Sequence, residues 1–319
     1  MPKGLFTQCV CLLTDGTIEL GAIRVRLEDA GFRVAKELAA SDNWEFAGPS
    51  FIVPYRPEVN GSVSIDVVNC PWPDEMGSPK SGSMAFAAWS MGFFGPFAYP
   101  GGLERAVQHA WNWPTGRNIA PKHQGVIRMR VSYVGGQHDS APVLPDDYDA
   151  AGELQFLNRL VLAVGTAPGI LCYFNPNGEA LRDLNDFRLL CEKCALENKL
   201  SILLWSNARF FKVDAAFGFM DTIGNGQLDV QDIEVIYPSG RYDARTIEYY
   251  MRYVTHYLLG LDRELQTGES IDGPGESALS WVIESRDESL VAPPRRVLRL
   301  SPAADAAAIR VALAAAGRG

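Results

Sequence analysis

Two periods of hydrophobicity alternate along the chain, and each change of period predicts an element. Residues 5–13, "LFTQCVCLL", read as a strand. Leu20, Ile23, Leu27 and Ala30 then recur at three- and four-residue spacing, which is one face of a helix, and Gly31 follows where a left-handed cap sits. Residues 50–54 and 62–68 predict two more strands; in the second, Val63, Ile65 and Val67 alternate with Ser62, Ser64 and Asp66. Beyond a stretch rich in Pro, Gly and Ser from Pro71 to Ser83, helices are predicted over 84–91 and 102–112. In "VIRMRVSYV", Ile127, Met129, Val131 and Tyr133 alternate with Arg128, Arg130 and Ser132, so the strand should pack one face and leave the other polar. The order strand, helix, strand, strand, helix, strand is that of a ferredoxin-like split βαβ unit.

The pattern continues with a helix striped by Leu154, Leu157, Val161 and Val164 and ended by Pro168 and Gly169. A strand "GILCYF", a helix from Asp183 to Asn198 and an apolar strand at 201–205 come next. "DIEVIY" predicts a strand. The following helix has Asp243 as N-cap and buries Ile247, Tyr250, Met251, Val254 and Leu258. "SALSWVIES" and "RRVLRL" predict closing strands, and the alanine-rich tail is either a short helix or frayed. The expected fold class is α+β: a ferredoxin-like N-terminal half over residues 1–136, a second mixed α+β half over 137–302 and a tail over 303–319.

Composition narrows the function classes. With 47% hydrophobic and 21% charged residues among 319, the chain has the material for a sizeable core. A net charge of −9 without basic clusters would repel a phosphate backbone, which excludes nucleic acid as a partner. The apolar run in "MPKGLFTQCVCLL" is too short for a signal peptide or a membrane span, so the expected location is cytoplasmic and no membrane partner is expected. Six scattered cysteines do not make a disulfide framework; Cys9 and Cys11 share a strand face and read as core.

"DTIGNGQLDVQD", residues 221–232, comes close to a calcium-binding EF-hand loop, with Asp221 at the first place, glycine at the sixth and Asp232 at the twelfth. Ile223 at the third place supplies no oxygen ligand, and "IEVIYPSG" predicts a strand where an EF-hand needs a helix. The segment therefore reads as a turn in which Gly224 and Gly226 supply positive φ, and a calcium module remains an alternative. Cys191-x-x-Cys194 lacks the second half of a zinc site. His109, His123, His138 and His256 are far apart, and "GSPKSGSM" places Lys80 before its last glycine, unlike a phosphate loop. No catalytic residue, cofactor or metal is predicted.

The most unusual stretch is "AAWSMGFFGPFAYPGGLERAVQHAWNW". Its aromatics must fill a core under a loop or line a recognition surface. The candidates for protein binding are Phe93, Phe94, Phe97, Tyr99, His109, Trp111 and Trp113.

From "GVIRMRVSYVGG" through "GILCYFNPNGEAL", "FMDTIGNGQLDVQDIEVI", "YYMRYVTHYLLG" and "TGESIDG" to "LVAPPRRVLRL", the chain resembles a bacterial family catalogued as a domain of unknown function, family four-two-six-one. The resemblance covers residues 120–300 and implies neither a calcium role nor catalytic residues. The expectation is a non-catalytic factor that binds another protein, with an immunity or accessory role toward a secreted toxin as its specific form. An enzyme with a site between the two halves, near His109, His123 and Arg128, is the alternative.

Overall fold

A computed structural model describes residues 3–16, 18–40, 46–135, 143–275 and 279–317. His138 lies outside the described residues. The chain is α+β and divides into two compact units, Met1–Trp205 and Ser206–Gly319.

The first unit is built on a seven-stranded sheet of β1 (Gln8–Thr14), β2 (Lys36–Leu38), β3 (Ser50–Pro54), β4 (Ser62–Val68), β5 (Gly125–Ser132), β6 (Ile170–Asn175) and β7 (Ala180–Arg182). The spatial order is β2-β3-β4-β5-β1-β6-β7, with every neighbouring pair antiparallel. A split βαβ unit would put the first strand between the third and fourth; here β5 lies between β4 and β1. The boundary expected at 136/137 falls inside this unit, because β6 hydrogen-bonds to β1. Its helices are α1 (Leu20–Asp29), α2 (Met84–Ser90), α3 (Gly102–Gln108), α4 (Gly116–Ile119), α5 (Ala150–Val164), α6 (Leu184–Leu196) and α7 (Ile202–Trp205). The last of these replaces the strand expected at 201–205: a run so short shows no period, and the Leu204 carbonyl accepts from the Tyr173 hydroxyl at 3.0 Å.

The second unit holds β8 (Asn207–Lys212), β9 (Phe217–Ile223), β10 (Asp232–Pro238), β11 (Ser270–Asp272), β12 (Ser280–Arg286) and β13 (Val297–Pro302), ordered β11-β12-β13-β10-β9-β8. Among these strands β10 and β13 pair in parallel, and the other neighbours are antiparallel. Helix α8 (Ala244–Leu259) begins at Asp243, whose carboxylate accepts from the Thr246 amide at 2.8 Å, and it buries Ile247, Met251 and Val254 against Ile233, Val235 and Leu300. The alanine-rich tail is a helix, α9 (Ala306–Ala315), and its Ile309 and Leu313 pack on Phe219 and Ile236, which face the other side of the sheet. Among the described residues no helix is long and apolar enough to cross a membrane.

Candidate functional site

The calcium-like segment is a strand, a turn and a strand. Asp221 lies within the buried part of β9, a short 3-10 turn spans Asn225–Leu228, and Asp232 opens β10. Gly224 has φ 118°, as expected; the second positive-φ residue is Asp229 at φ 61°, not Gly226. Both end carboxylates are already occupied. Arg209 donates to Asp221 at 2.9 and 2.6 Å, and Arg295 donates to Asp221 at 2.6 Å and to Asp232 at 3.1 Å. Asp232 also accepts from the Asn225 amide and the Thr222 hydroxyl, each at 3.0 Å, which closes the turn.

Strand register extends this network into a row. Arg209, Asp221, Glu234, Arg299 and Glu284 lie directly opposite one another on β8, β9, β10, β13 and β12. Cross-strand neighbours share a face, so the row alternates charge except where Asp221 meets Glu234. Arg295 enters at that point from the 287–296 loop, and the Leu290 amide donates to Glu234 at 2.5 Å. Burial works to raise the Asp221 pKa, but the charges and hydrogen bonds of Arg209 and Arg295 win and hold it below its ordinary value. Burial prevails at Asp232 and Glu234, which titrate above theirs despite Arg295 and Arg299. A calcium ion would have to displace two arginines here. Among the described residues no group of three or more His, Cys, Asp or Glu side chains is placed to hold a metal.

In the first unit the aromatic stretch covers what the alternation of β5 marked as a polar face. All of β5 is buried, Arg128 and Arg130 included. Asp66 on β4 accepts from Arg128 at 3.1 Å and from Arg130 at 2.6 Å. The Arg128 guanidinium lies 5.0 Å from the Phe46 ring and 5.8 Å from Phe94, and that of Arg130 lies 3.9 Å from Phe6 and 5.7 Å from Phe93. The loop is fastened at Asn177, which accepts from the Phe97 amide at 3.1 Å and donates to the Cys9 carbonyl at 2.8 Å. At Gly95, with φ 108°, a Cβ would collide with Asn177 and Cys9. Arg105 donates to the buried Glu179 at 2.8 Å.

Of the expected binding residues, Phe94 and Trp113 are therefore buried, while Phe93, Phe97, Tyr99 and His109 are half-buried. Trp111 is 49% exposed, with Arg117 5.8 Å from its ring. His123 and Arg128 hold structure: His123 Nε2 accepts from the Trp72 amide at 2.8 Å and Nδ1 donates to the Ala120 carbonyl at 2.7 Å. Burial lowers the His123 pKa. Cys9 and Cys11 are core residues, and burial pushes the Cys191 thiol up to about 12, which disfavours its thiolate.

Glu153, in the first turn of α5, is fully buried and accepts from Thr7 at 2.8 Å and Tyr148 at 3.0 Å. Burial raises it to about 7 against the pull of these hydroxyls, Tyr133 and the Lys3 charge. Buried and held by these hydroxyls, it is a titrating group of the interior.

The surface that sequence reasoning missed is on α8. Six of the eleven tyrosines fall between residues 237 and 257. Tyr249, Tyr253 and Tyr257 are 78%, 58% and 42% exposed, and their four-residue spacing puts them in one row opposite the buried stripe. Beside them opens a groove of about 490 Å3, lined by Tyr249, Tyr250 and Tyr253 of α8 and by Asp272 and the Gly273–Gly275 turn after β11. Arg245 and Thr246 complete one rim. Large side chains in the wrong phase for the helix core were the available signal.

Residues 221–301, which contain all of this groove and most of the charged row, match the family described as Domain of unknown function (DUF4261). No curated protein and no solved structure matches the chain.

Proposed function

We propose that the protein is a non-catalytic protein-binding factor whose main recognition surface is the tyrosine face of α8. The observation that carries this reading is the exposed row Tyr249, Tyr253 and Tyr257 beside an open groove. Tyrosine buries a large rigid area at low entropic cost and keeps a polar tip, and for that reason it is enriched at recognition surfaces. In the first unit Trp111 is the member of the aromatic set open to solvent and supports the same reading. The specific form, an immunity or accessory role toward a secreted toxin, draws on the net charge of −9, which complements a basic partner.

The test is a benzophenone amino acid placed at position 253, or at position 311 as a control on α9, in the native host. Irradiation should give a discrete adduct with another protein from position 253 and none from 311. No adduct at 253, or the same adduct from both, would sink the reading.

A further inference from the structure

Beside the groove runs the open edge of the second sheet. Strand β11 pairs only with β12 among the described residues. The ladder between them runs through Glu269, Ile271 and Gly273: the Ile283 amide donates to Glu269 and the Gly273 amide to Leu279, each at 2.9 Å, with Ile271 opposite Trp281. In an antiparallel pair the intervening residues turn their amides and carbonyls the other way. Ser270 and Asp272 therefore present backbone donors and acceptors to the edge. Both are exposed, and no hydrogen bond among the described residues takes up those groups. An exposed edge of this kind is a template for another strand.

Three features of the groove indicate what that strand carries. Asp272 borders the groove from the sheet face opposite to Ile271 and Trp281 and forms no ion pair among the described residues, so it complements a basic side chain directly opposite. Tyr249 and Tyr253 wall a space of about 490 Å3, room for an apolar or aromatic side chain. The Tyr250 hydroxyl, on a side chain 4% exposed, lines the same groove without a hydrogen-bond partner among the described residues. A helix and an edge strand facing across a groove form the arrangement in which an extended peptide gains affinity from main-chain bonds and specificity from alternate side chains.

We infer that β11 and α8 receive an extended segment of a partner protein by strand addition, with a basic residue opposite Asp272 and an apolar side chain at the next position, on the face that Ile271 and Trp281 turn toward α8, between Tyr249 and Tyr253. This deepens the protein-binding reading and rests on it. The partner is a linear peptide and not a folded surface, and Ser270 and Asp272 contribute main-chain bonds.

A display library of random peptides, panned on the whole chain, tests this. The enriched sequences should pair a basic with an apolar residue at adjacent positions. A synthetic peptide of that consensus should slow hydrogen exchange at the Ser270 and Asp272 amides. Ser270→Pro removes an edge amide without touching the β12 ladder, a change tolerated at sheet edges, and should weaken the peptide by about tenfold. The double change Tyr249→Ala, Tyr253→Ala should do the same. If Ser270→Pro disturbs folding, the exchange measurement on the unaltered chain decides. Peptides that need the tyrosines but neither protect the two amides nor respond to Ser270→Pro would overturn strand addition while leaving the binding surface in place. A library that yields no binder overturns it as well, and the adduct from position 253 then judges the broader reading separately.

Discussion

At the scale of single residues the buried charges make opposite contributions. Arg295 is shared by Asp221 and Asp232, so Arg295→Met strands one carboxylate and weakens the hold on the other. Breaking a buried pair from one side should destabilise the chain by about 3–5 kcal/mol, read from urea unfolding; a loss under about 1 kcal/mol would mean that water reaches the network. The same occupancy predicts that millimolar calcium gives no heat on titration and that a chelator leaves the melting temperature unchanged; a calcium-dependent rise would refute it. Glu153 behaves differently. Its folded pKa of about 7 stands above the ordinary 4.5, so its contribution to stability is complete below pH 4.5 and is lost as pH rises through 7. Glu153→Gln keeps the shape and removes the titration, so the variant should gain on the natural chain between pH 5 and pH 8, by about 3 kcal/mol at most. Parallel stability curves for the two proteins would show that the carboxyl is not buried as described.

At the scale of elements the aromatic stretch separates into members that hold the fold and one that does not. Phe94 packs in the core against Trp72 and Phe46 and lies over Arg128, so Phe94→Ala should cost about 3–5 kcal/mol. Trp111→Ala should stay within about 0.5 kcal/mol, and a large loss there would place Trp111 in the core. Sequence could not separate them: Phe94 sits among glycines and a proline where no period shows which side is inward, and Trp111 falls within the helix expected over 102–112, which ends at Gln108. Periodicity did identify most long strands, the Asp243 cap and the buried stripe of α8. It misassigned the polar side of β5, since Arg128 and Arg130 alternate like solvent-facing residues and become internal only when Asp66 and four phenylalanine rings are brought to them. The tyrosine row was equally legible in spacing; its exposure depended on which face of α8 met the sheet.

At the scale of the molecule, the family match and the folding unit do not coincide. The match starts at Asp221, inside β9, and stops at Ser301, inside β13. It omits β8, which supplies Arg209 to Asp221 and all of the pairing on one edge of β9. Also omitted is α9, whose Ile309 and Leu313 cover Phe219 and Ile236. A fragment of 221–301 would thus leave Asp221 with Arg295 alone and open an apolar face of the sheet to water, two penalties of several kcal/mol against a total stability of about 5–15 kcal/mol. The 206–319 fragment retains both. It has its own sheet, its own core and a contact boundary at its start, and it should melt in one cooperative transition with dispersed amide resonances. The 221–301 fragment should show neither. If the shorter fragment melted as sharply as the longer one, β8 and α9 would be additions to a self-sufficient core.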